Sequence, residues 1–149
     1  MKSVQELEIY LEERKVDFEI IKHSSPIFSV QDAKKYFDTN YAAPVFIVQT
    51  DQGMMSLIVS AKHGKLDFKE LGAKLGFLKL KLADRKKAEM ETGYKIGAMP
   101  LVGLELPCIF DNDLLAYEYI YGGSGDELYT LKINPKDVKK LNSIVRVLN

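Results

Sequence analysis

The sequence predicts one α+β domain over residues 1–149, built on a mixed β-sheet or partial barrel of about six or seven short strands flanked by helices. Three observations carry this expectation. Segments with helical spacing and segments with two-residue alternation follow one another without sorting into blocks. No repeat, linker or low-complexity stretch interrupts them. A length of 149 residues, with 46% hydrophobic side chains and a net charge of zero, suffices for one buried core and excludes a disordered chain.

Taken in order, Ser3 and Glu6 form a capping-box pattern, and Val4, Leu7 and Leu11 recur at helical spacing, so residues 3–15 are expected to be helical. Phe18 and Ile20 alternate with polar neighbours in a short strand that ends at His23-Ser24-Ser25-Pro26. Ser29 caps a second helix reaching Phe37, with Val30, Ala33 and Phe37 inward. Residues 44–49 and 55–60 are β-rich and flank the turn sequence Thr50-Asp51-Gln52-Gly53, which predicts a hairpin. Asp67 opens a helix with Phe68, Leu71 and Leu75 on one face and Gly76 as its C-cap. Leu78, Leu80 and Leu82 alternate with Lys79 and Lys81 in a half-buried strand, and Asp84 caps a helix that stops before Gly93. Residues 97–103 form a loop by composition. Residues 107–110, 117–121 and 127–133 are strands, and Asn134-Pro135 opens a last helix.

The zero net charge conceals segregation. Residues 62–87 hold nine bases and three acids, a balance of +6, whereas residues 96–131 hold six acids and no base. The basic run is either the wet face of a helix and a strand or a phosphate-contacting surface. No RNP-type or zinc-finger motif accompanies it. The N-terminal residues show no signal-peptide pattern and no stretch has membrane-spanning length, which with a single cysteine predicts a cytoplasmic protein that does not enter a membrane.

Individual residues admit two readings each. Cys108 lies in a predicted strand with no histidine near it in sequence, which favours a buried thiol over a nucleophile. His23 is a candidate general base or a strand-end residue bonded to backbone. His63, in Lys62-His63-Gly64-Lys65, is a solvated loop residue or an anion contact. Tyr121-Gly122-Gly123-Ser124-Gly125 is a backbone-amide cradle for an anion or a hairpin turn. Two histidines and one cysteine offer no zinc spacing, so neither a metal nor a cofactor is expected.

Five segments in this order resemble the YbaK-type family of aminoacyl-tRNA deacylases, whose fold also occurs as the editing insertion of bacterial prolyl-tRNA synthetases. They are Phe18 to His23 followed by Pro26 and Ser29; Ala61-Lys62-His63-Gly64-Lys65-Leu66-Asp67; Thr92-Gly93-Tyr94-Lys95-Ile96-Gly97-Ala98-Met99-Pro100-Leu101; Leu106-Pro107-Cys108-Ile109-Phe110-Asp111; and Tyr121-Gly122-Gly123. The third is similar to the family's Gly-Tyr loop and Gly-Pro turn that line its editing pocket.

The resemblance implies hydrolysis, by a water, of the ester that links a wrong amino acid to the terminal ribose of a tRNA, with prolyl-tRNA as the substrate. Gly97, Ala98 and Pro100 would form the oxyanion and pocket loop, a side chain at Gly97 would fill the acyl space, and Gly122 and Gly123 would form the opposite wall. Lys62, His63 and Lys65 would contact phosphate or ribose, and His23, Ser29 and Asp111 would join them in binding substrate. The implied partners are the tRNA acceptor end and an aminoacyl-tRNA synthetase. The acids of residues 96–131 are expected to point away from bound phosphates. One departure stands out: Pro44 occupies the position of a family lysine, and a proline supplies neither charge nor N–H. Lys62 is the candidate replacement. The alternative is a catalytically lapsed member that binds aminoacyl-tRNA ends or amino acids as a sensor or adaptor.

Overall fold

The computed structural model describes residues 2–149. Its first helix, α1 (Val4–Glu13), starts as the capping box requires: Glu6 N–H donates to Ser3 Oγ, and Ser3 N–H donates to Glu6 Oε1. Leu7 and Leu11 are fully buried on its inner face. The remaining elements are β1 (Phe18–Lys22), α2 (Val30–Ala33), β2 (Val45–Thr50), β3 (Gly53–Ile58), α3 (Phe68–Leu75), β4 (Leu80–Leu82), α4 (Arg85–Thr92), β5 (Pro107–Asp111), β6 (Ile120–Gly123), β7 (Tyr129–Ile133), α5 (Pro135–Leu141) and β8 (Ser143–Leu148).

Two sheets form, a five-stranded one ordered β4-β2-β3-β5-β8 and a three-stranded one ordered β1-β7-β6. The α+β expectation therefore holds, with mixed pairing in the large sheet: β2 pairs antiparallel with β3 and β4, while β5 lies parallel between β3 and β8. A central parallel strand is covered on both faces, so its sequence is a continuous apolar run. Cys108, Ile109 and Phe110 are all fully buried, and they alternate between two cores. Cys108 and Phe110 join Leu7, Leu11, Ile120 and Leu131 beneath α1 and the small sheet, while Ile109 joins Val48, Leu57, Leu71 and Phe77 beneath α3.

Three sequence expectations change. The last helix stops at Leu141, and β8 follows it. Asn142 ends the helix by turning its side-chain amide onto the Val138 and Leu101 carbonyls at 2.7 and 2.8 Å. The second helix closes at Ala33 and continues as turns, with Phe37 N–H still donating to the Ala33 carbonyl and its ring stacked on Tyr121 at 4.4 Å between centroids. The predicted strand at residues 117–121 begins later, after a 3-10 turn at Asn112–Ala116, and runs to Gly123.

The sheets meet along a seam. Ala42 bridges to Tyr121, Ala43 N–H donates to the Tyr121 carbonyl at 2.8 Å, and Leu101 N–H donates to the Gly123 carbonyl at 2.9 Å. The approach at Gly123 is so close that a Cβ there would run into the Met99 carbonyl. Backbone on both sides cannot yield as a side-chain tip would. Gly123→Ala should therefore destabilise the protein by about 1–3 kcal/mol. A urea midpoint lowered at constant m-value is the expected reading; an unchanged midpoint would show that the seam is looser than described.

Candidate functional site

The seam encloses a cavity of about 590 Å³. Its walls come from the segment around α2 (Ile27, Phe28, Val30), the entry to β2 (Ala43, Pro44), the turn after β3 (Ser60, Ala61, Gly64), the 3-10 turn Ile96–Ala98 with Met99, and the facing ends of β6 and β7. The lining is mainly apolar, and its polar groups are few enough to count as orienting contacts.

Of the residues singled out by sequence, Ser29, Lys65, Gly97, Ala98, Gly122 and Gly123 line this cavity, and so does Pro44. Ser29 also caps α2 by accepting from Asp32 N–H at 3.3 Å. His23 sits behind the wall. It is 4% exposed, its Nε2 shares a 2.7 Å hydrogen bond with Thr130 Oγ1, and Thr130 is the residue that reaches the cavity. His23 is therefore not itself on the cavity wall. Nothing in the sequence marked Thr130, because threonine is ordinary in a strand.

Lys62, His63 and Asp111 gather elsewhere. The fully buried Asp111 accepts Ser60 N–H at 2.9 Å and lies 2.8 Å from His63 Nε2 through Oδ2, while Oδ1 accepts Asp113 N–H at 2.9 Å. Lys62 Nζ pairs with Asp113 at 3.5 Å. His63, Asp111 and Asp113 could present metal-ligand atoms within 4.8 Å of one another, yet their acceptors are already engaged in holding the 60–63 turn against the end of β5. Lys62 is thus turned off the cavity wall, and Lys65 is the one cation that the described residues place on it.

The glycine loop has a different physical reason from the one the sequence suggests. A Cβ at Gly97 would meet Phe28 Cα at 2.9 Å and its carbonyl at 3.1 Å, so Gly97 permits close backbone packing and does not keep acyl space open. The amides differ in availability. Ala98 N–H donates to the Lys95 carbonyl at 2.9 Å, Leu101 N–H to Gly123, and the buried Pro100 has none. Gly97 alone among Gly97, Ala98 and Pro100 keeps an N–H outside these bonds. Gly122 and Gly123 extend β6 as a wall, and the turn proper lies beyond them at Gly125, with φ of 96°.

The acids of residues 96–131 do not all turn away, since Asp126 and Glu127 line the cavity. Cys108 is fully buried in β5, and burial pushes its thiol up to about 11 against a smaller lowering by Ser56, so it is no nucleophile at neutral pH.

A sequence profile described as "aminoacyl-tRNA editing domain" matches residues 24–141. A curated relative, the prolyl-tRNA editing protein ProX of Acetoanaerobium sticklandii, is 24% identical over 140 residues, covering 88% of this chain and 85% of its own. The fold recurs in a crystal structure of a hypothetical protein, with a TM-score of 0.83 at 20% identity over 95% of this chain and 97% of that one. It recurs again in a candidate trans-editing enzyme for prolyl tRNA synthetase, with a TM-score of 0.79 at 20% identity over 100% and 98%. No described helix is long and apolar enough to cross a membrane.

Burial holds His23 below its ordinary pKa, against smaller opposing effects of the Glu127 backbone and the Asp126 carboxylate. The unfolded chain then binds a proton before the folded one does. Stability is full above the unfolded value of about 6.5 and falls as pH drops below it toward the folded value. His23→Gln should flatten that limb in a series of urea titrations; an identical acid limb would place the titrating group elsewhere.

Proposed function

Because the chain belongs to the aminoacyl-tRNA editing domain family, we propose that it is a trans-acting deacylase, with residues 1–149 working as one unit on the ester between a mischarged amino acid and the terminal ribose of a tRNA. The observation that best supports this is the cavity itself. At about 590 Å³ it exceeds what a small acyl group needs and has room for the terminal nucleoside as well. The name of the A. sticklandii relative supports prolyl-tRNA as the substrate, and the single cysteine fits a cytoplasmic setting. The partner is the tRNA acceptor end, supplied by an aminoacyl-tRNA synthetase.

In this reading a water oxygen adds to the acyl carbon, and the Gly97 N–H donates to the developing oxyanion. As the intermediate collapses, the bond from acyl carbon to ribose oxygen breaks and the proton from water ends on that ribose oxygen. Free amino acid and a tRNA with its terminal hydroxyl restored are the products. Ser29, Ala98, Gly122 and Gly123 shape the wall around the acyl group. Lys65 takes the role first assigned to Lys62 and meets phosphate or ribose at the wall. His23 orients the Thr130 hydroxyl as a positioning residue. Asp111 and His63 contribute by fixing the turn that carries Lys65.

A second reading has its own observation. Pro44 lines the cavity where the resemblance places a lysine, which favours a binder of aminoacyl ends without turnover. Incubation with a panel of mischarged tRNAs, including prolyl-tRNA carrying alanine or cysteine, separates the two: release above buffer supports the hydrolase, and saturable binding without release supports the binder. For the hydrolase, Lys65→Ala should lower the release rate at subsaturating tRNA about tenfold. Lys62→Ala, which loses only a surface ion pair, should stay near wild type. The reverse pattern would return the role to Lys62.

A further inference from the structure

Three residues with charged side chains line the cavity: Lys65, Asp126 and Glu127. Beside the one base, the two acids give the wall a side suited to a cation. The acids also have capacity left. Asp126 Oδ1 accepts Leu128 N–H at 2.9 Å, and its Oδ2 has no partner among the described residues. Glu127 Oε2 stands 3.5 Å from Lys95 Nζ and makes no hydrogen bond. Glu127 Oε2 is itself closed off from water, so it stands as a buried acceptor with no donor. The backbone between them is anchored, because Tyr129 N–H donates to the Asp126 carbonyl at 3.1 Å and Ile27 N–H to the Glu127 carbonyl at 2.9 Å.

The cavity thus has a donor side at Gly97 and an acceptor side at residues 126–127. An aminoacyl ester offers the complementary pair, an acyl oxygen and, one carbon away, an α-ammonium. Resting on the reading above that an aminoacyl end occupies the cavity, we propose that Asp126 and Glu127 bind its α-ammonium and make a free amino group a condition of recognition. An end whose nitrogen is acylated, as in a peptidyl- or formyl-aminoacyl-tRNA, loses the charge and gains bulk against two carboxylates, and is refused.

Binding of a non-hydrolysable probe tests this apart from catalysis. The probes are adenosine carrying alanine through a 3′-amide, and the same molecule N-acetylated, each titrated by calorimetry. Wild type should prefer the free amine roughly 10- to 100-fold, the range of one charge-assisted hydrogen bond. Asp126→Asn with Glu127→Gln should weaken the free amine by that factor and bring the two probes level. Asparagine retains the oxygen that accepts Leu128 N–H, and circular dichroism reports whether the variant is folded; the preference of wild type is a readout that needs no variant. Equal affinity of wild type for both probes, no binding of either, or a preference that survives in the folded double variant would overturn the proposal. Preferential binding without release from any tRNA would leave it standing and remove only the hydrolase reading.

Discussion

The docking of residues 96–101 on β6 is the contact on which the rest depends. Two backbones approach so closely at Met99 and Gly123 that no side chain fits between them, and the Leu101 N–H closes onto the Gly123 carbonyl at 2.9 Å. The small sheet has no interior of its own, whereas the large one has a second core beneath α3. The small sheet buries Ile120, Leu131 and Ile133 only because the large one presents Phe110 and Ile58 to it, with Leu101 set between. Where the seam stays tight the chain is core, and where it parts between the 96–99 turn, α2 and β7 it leaves the cavity. Core and site are thus two stretches of one interface.

That arrangement also divides the charges of a neutral protein into two groups. Most bases of residues 62–87 lie exposed on α3, β4 and α4, in water and under salt screening. One lysine reaches the cavity, and two carboxylates share it. A charge at the lip of an apolar cavity acts through less water than one on an open helix, so these three count for more than the larger number outside. On the proposed reading, the outer lysines would favour approach of the tRNA and the inner acids would select what enters.

The parts of the fold legible in the sequence are those held by local bonds. Ser3, Asp67, Asp84 and Asn134 each cap the helix that follows, through side-chain oxygens accepting from backbone two or three residues ahead. What lay outside local reach was misread. β8 is an edge strand whose pairing with β5 is parallel and distant, and Phe37, past the end of its helix, stacks on a tyrosine of another sheet. The site divides the same way. Gly97 is correctly placed in the loop, but Phe28 is the reason for it, and no pattern in the sequence announces a neighbour so remote. Lys62 and Lys65 read alike in a basic turn. The 3-10 turn Ala61–His63 sends the first to Asp113, and Gly64, with φ of 62°, swings the chain so that the second reaches the cavity.

Asp111 carries a consequence for how the cavity is entered. Its carboxylate clamps Ser60, His63 and Asp113 from inside the protein, and the segment it clamps is the one that ends in Gly64 and Lys65. The lip of the cavity is therefore held by a fully buried group that is not on its wall. Loosening that clamp would let the lip carrying Lys65 swing, so the shape of the cavity mouth would change ahead of the fold that surrounds it.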